Sequence, residues 1–151
     1  MKSKTILTLA ITCLVAVLLR AATPAEEKAF CDKYKTAFEA GDKATLESLL
    51  YTKGAHPMAL EFYKMMMTGE AGQKISNIEL VDMTPEDVKK ASEVQEGPGG
   101  EKMAMPIKPT KKLKITVESK DENGSGSSTS ESFVAEADGK LVIPVPGPAK
   151  K

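Results

Sequence analysis

Phe30, Tyr34, Ala37 and Phe38 fall at helical spacing and share one face. Thr23 can cap that helix, Pro24 suits its first turn, and Glu26 completes a Thr-x-x-Glu capping box. Gly41 ends it, and Asp42 at once caps a second helix, whose Leu46, Leu49 and Leu50 make the next stripe. Gly54 closes that one. His56-Pro57 opens a third helix running to Gly69, in which only Glu61, Lys64 and Thr68 are clearly polar. A helix that apolar on most sides is expected to be covered on most sides.

From Lys74 the period changes. Residues 75–83 read as a strand whose apolar positions slip phase between Ile75 and Ile78, the sign of a bulge. Thr84-Pro85-Glu86-Asp87 is another helix start, predicting a short helix over 85–92. Residues 96–112 are rich in Gly and Pro and show no period, so they read as a long connection. Leu113, Ile115 and Val117 then alternate with Lys114, Thr116 and Glu118 as a half-buried strand. A serine-rich stretch over 121–131, with a turn signal at Asn123-Gly124, is expected to be a flexible hairpin. Phe133, Ala135 and Ala137 would share one face of the next strand, although Val134 breaks the alternation. Asp138-Gly139 turns the chain into a last strand over 140–145, and the tail at 146–151 reads as disordered. No internal repeat is visible.

The N-terminus changes the picture. Lys2 and Lys4 precede a mostly apolar run over 6–19, and Arg20-Ala21-Ala22 follows. This is the layout of a secretory signal over residues 1–22, expected to be removed after Ala22, with an uncleaved membrane anchor as the alternative. Cys13 lacks the small preceding residue that lipidation requires. The expected location is periplasmic or extracellular. Residues 23–145 then form one domain.

Residues 1–22 hold three cations and no acid, leaving 18 lysines against 21 acids and a net charge near −3. Arg20 is the sole arginine. Without arginine's planar fork, an acidic chain of this kind is a poor nucleic-acid binder. Cys31 is the one cysteine after the signal, so no internal disulfide forms, and its place beside the first helix's apolar stripe reads as packing.

Helices first, then antiparallel strands, is an α+β layout. The stretch EAGDKATLESLL at 39–50, the apolar helix at 57–67 and the closing SFVAEADGKLVI at 132–143 resemble the cone-shaped fold of nuclear transport factor 2, ketosteroid isomerase and their relatives. That resemblance implies N-terminal helices on the concave face of a curved sheet of about four strands, a pocket inside the cone, and a homodimer through the exposed sheet face. Its enzymes carry a general base, an aspartate or histidine, in the cone. None maps onto this chain: Asp42 reads as a helix cap and Asp82 lies at a strand end, so no catalytic residue is assigned.

His56 is the sole histidine, which argues against catalytic triads and multi-histidine metal sites. Methionine is abundant. Soft thioethers bind Cu(I), and Met103-x-Met105 with Met65-Met66-Met67 and His56 is a minor copper candidate. The triplet, however, points in three directions around a helix. Gly97-Pro98-Gly99-Gly100 lacks phosphate-loop spacing, and no cofactor is implied. The leading expectation is a non-catalytic exported domain binding an apolar small molecule or a protein partner, its pocket lined by Tyr34, His56, Met58, Phe62 and Met66. The alternative is a small hydrolase or isomerase of the cone fold with an unplaced acid–base group.

Overall fold

A computed structural model describes residues 21–97, 99–121 and 124–149. The apolar run at 6–19, with Cys13, lies outside them. So do Asn123 of the turn signal and the final lysine pair.

The first helix, α1 (Pro24–Glu39), starts on the capping box read from the sequence: Glu26 N–H donates to Thr23 Oγ1, and Thr23 N–H donates to Glu26 Oε2. The second, α2 (Lys43–Glu47), is capped by Asp42 as expected but is only five residues long. Ser48 ends it by donating to the Thr45 carbonyl. Leu50 leaves the expected helical stripe and, with Tyr51, forms strand β1 (Leu50–Tyr51). The third, α3 (Pro57–Thr68), has the extent the sequence predicted.

Strand β2 (Lys74–Asp82) carries the expected irregularity, a register shift between Ile75 and Asn77. Helix α4 (Pro85–Ser92) follows on a second capping box, between Thr84 and Asp87. The connection read as featureless instead contains β3 (Gln95–Glu96) and β4 (Lys102–Ala104). Strand β5 (Lys111–Asp121) pairs along its length with β6 (Gly124–Ala137), so the serine-rich stretch is ordered ladder rather than a flexible loop. Asp138 and Gly139, both at positive φ, make the tight turn into β7 (Lys140–Pro144). The tail expected to be disordered is ordered over 146–149. Strand β8 (Gly147–Pro148) pairs with β4, and Ala149 N–H donates to the Lys102 carbonyl.

Five strands form a mixed sheet in the order β1-β7-β6-β5-β2, and β3-β4-β8 form a smaller one. Leu113, Ile115, Val117, Val134 and Ile143 of the large sheet are buried with Phe30, Tyr34 and Phe38 of α1. Successive strand residues point to opposite faces. Lys111 reaches Glu27 of α1 at 3.1 Å, and Lys112 reaches Asp87 of α4 at 3.1 Å. Helix α1 therefore covers one face of the sheet and α4 part of the other.

The β2 edge is shielded by α1. Ile75 N–H donates to Glu39 Oε1 at 3.0 Å, and Lys35 Nζ donates to the Ile75 carbonyl at 2.9 Å. Two backbone groups that would otherwise face outward at the bulge are thereby satisfied.

Candidate functional site

Helix α3 departs from its expected environment. Ala59 and Met67 are buried, yet Met58, Phe62, Met65 and Met66 are 48%, 55%, 63% and 42% exposed. The helix is covered along one narrow stripe, not on most sides. Met65, Met66 and Met67 diverge as their 100° steps require.

Met58, Ala59 and Phe62 form one wall of a groove of about 230 Å³. Met103, Ala104 and Met105 form another, with Gly97 and Pro146 completing the apolar lining. Lys90, Glu93, Gln95 and Glu96 give it a polar rim. Met103 can seat there because Gly97 has no side chain: a Cβ at that position would lie 2.3 Å from Met103 Sδ. The groove is assembled from four separate stretches of chain, two of which the sequence read as loop and tail.

His56 stands at the α3 N-cap without a side-chain capping bond. Its Nε2 lies 2.9 Å from Glu101 Oε1, and its backbone N–H donates to the Pro146 carbonyl at 2.9 Å. One residue thus ties α3 to the β3–β4 connection and to the tail. Neither His56 nor Glu101 belongs to the groove lining. Among the described residues no three His, Cys, Asp or Glu side chains converge as a metal site.

The five residues singled out from the sequence therefore separate. Met58 and Phe62 border the groove and His56 anchors its end. Met66 lies on the exposed side of α3, outside the lining. Tyr34 belongs to the packed interior, its ring stacked on Phe38 with centroids 6.1 Å apart. Burial raises the Tyr34 hydroxyl to a pKa of about 12. Sequence reading singled out Met103 and Met105 only as soft metal ligands. Met103 lies in β4 and Met105 one residue past its end, and their i, i+2 spacing is the signal that extended chain would turn both to one side. Cys31 is half-buried against the core, and its thiol is pushed up chiefly by burial, then by Asp32 and Glu27.

A second groove, of about 450 Å³, runs between α1 and β7. Its Phe30, Leu49 and Leu141 are already buried, so covering it removes little further apolar surface from water.

No family model matches this chain, and no curated protein does. Among solved structures, the helical cell shape determining protein Pgp2 from Campylobacter jejuni aligns over 76% of this chain and 37% of its own, at 13% identity and TM-score 0.42. This chain thus spans about a third of that protein's length. A chain named Rd1NTF2_05 with further substitutions aligns over 81% of this chain and 95% of its own, at 9% identity and TM-score 0.38. Among the described residues no helix is long and apolar enough to cross a membrane.

Proposed function

We propose that this chain is a non-catalytic, exported binding domain whose α3 groove receives an apolar side chain of a protein or peptide partner. The observation that carries this is the exposure of Met58 and Phe62 beside a methionine-lined groove. The size favours a partner's side chain. Pockets that engulf a small molecule run to about 300–1,000 Å³, and this one is smaller. Met65 and Met66 extend the apolar surface beyond the groove, as a partner's wider footprint requires. Thioether side chains adapt their shape to what they meet, which suits such a surface.

The order of helices and antiparallel strands supports a nuclear transport factor 2-like outline, and the basic-then-apolar N-terminus supports export. An enzyme would need an acid–base pair facing the groove. On its rim Lys90 and Glu93 are instead paired along α4 with Glu86 and Lys89, and the His56–Glu101 pair fastens two segments together outside its lining.

Selection of a random-peptide library on the full chain tests the proposal, with parallel selection on Phe62→Glu. The expected result is enrichment of peptides carrying a large apolar anchor, lost on the variant. No enrichment, enrichment equal on both proteins, or binding of apolar dyes without any peptide would overturn it.

A further inference from the structure

Two long runs of the large sheet lack a neighbouring strand on one side, the outer side of β2 and the side of β6 beyond the reach of β7, and they are treated differently. On β2, α1 side chains occupy the Ile75 backbone groups, a bulge interrupts the ladder, and Lys74, Glu79 and Asp82 place exposed charges along the strand. These are the usual protections against adventitious strand pairing.

Strand β6 has no such protection over most of its length. Residues flanking a two-residue turn exchange backbone hydrogen bonds, so Ala137, paired with Lys140 around Asp138-Gly139, points its N–H and C=O toward β7. Alternation gives every odd-numbered residue of β6 the same direction. Strand β7 pairs with Ala135 and Ala137 but goes no further. The residue that would next face an odd position, Phe133, is Pro144, which has no N–H to give. From there β7 turns to β1, with Ile143 N–H donating to the Leu49 carbonyl. Ser125, Ser127, Thr129, Glu131 and Phe133 are left with outward backbone groups, and among the described residues no strand borders them.

We infer that this edge pairs with the same edge of a second copy, as an antiparallel two-fold centred on Thr129. Thr129 is the midpoint of the five residues left with outward backbone groups. Thr129 would face its own counterpart, Ser127 would face Glu131, and Ser125 would face Phe133. Glu131, the one charged side chain of the stretch, meets a serine, and the two glutamates stay about 13 Å apart, beyond the screening length at physiological salt. Small hydroxyl side chains let the strands approach and bond across the seam. A nine-residue seam is a small interface, so the dimer is weak and forms at high concentration.

Sedimentation equilibrium of the full chain from about 10 μM to about 1 mM reads the association, a range that spans weak transient contacts. Thr129→Lys and Thr129→Glu each set like charges face to face across the axis, roughly 5.5 Å apart in a hydrogen-bonded pair. Each variant alone is expected to associate about two- to fivefold more weakly, and a mixture of the two to recover a heterodimer. Should the variants melt early, amide exchange of the unaltered chain decides. The N–H groups of Ser127, Thr129 and Glu131 gain protection at about 1 mM and lose it at about 50 μM, while those of Ser128 and Ser130 stay protected throughout. A chain that remains monomeric at about 1 mM, variants that associate as well as the original, a mixture without recovery, or protection independent of concentration would overturn the inference.

Discussion

Gly147 stands where two backbones meet: a Cβ there would lie 1.9 Å from the Gly54 carbonyl oxygen. Backbone cannot swing aside as a flexible side chain can, so Gly147→Ala should cost at least the about 1–3 kcal/mol of an overpacked site. Urea unfolding reads this as a lower midpoint; an unchanged midpoint would mean that the tail is not docked. Asp87 offers a second residue-level test. The Thr84 N–H and hydroxyl, then Lys112, hold its carboxyl at a pKa of about 2, below the usual 3.8. Between these values the unfolded chain binds the proton and the folded one does not. The contribution is therefore whole above about pH 4 and lost as pH falls toward 2. Asp87→Asn should be less stable at neutral pH and should lose that part of the acid-unfolding slope; a parallel pH–stability curve would contradict this. Local chemistry of this sort was legible in sequence. Thr23, Thr84 and Asp138-Gly139 each act on neighbours within three residues. Gly147 was not legible, because its partner is Gly54, far away along the chain.

At the scale of elements, legibility follows burial. Helix α1 and strand β5 each bury one face, so period and structure agree. Strand β6 over 125–131 is exposed on both faces and is held mainly by its backbone ladder to β5, with only polar side-chain contacts to Glu70, Lys112 and Thr116, so it carries no apolar alternation to read. Strands β3, β4 and β8 are two or three residues long, too short for any period. Helix α3 was misjudged for a different reason. Its composition showed how much of it was apolar, but not whether the chain had anything to lay over it. Met67→Ala should cost about 2–5 kcal/mol, whereas Met66→Ala, on the exposed side, should change stability by less than about 0.5 kcal/mol. Thermal unfolding of both variants checks this, and equal losses would show that α3 is covered on both sides.

At the scale of the whole molecule, the groove exists because the chain's end returns to its middle. Pro146 accepts from His56, Gly147 packs on Gly54, and β8 steadies β4 so that Met103 and Met105 face Met58 and Phe62 across a gap. Two walls of the site were visible in the sequence as methionine-rich stretches. Their meeting was not, since it depends on a small sheet built from segments without pattern. Titrating the full chain, labelled with 13C at the methionine methyls, with a peptide from the library selection tests this surface most directly. The Met58, Met103 and Met105 methyl signals should shift together on binding, while buried Met67 stays in place. Shifts that spare those three methyls, or that spread equally to Met67, would contradict a docking role for the groove.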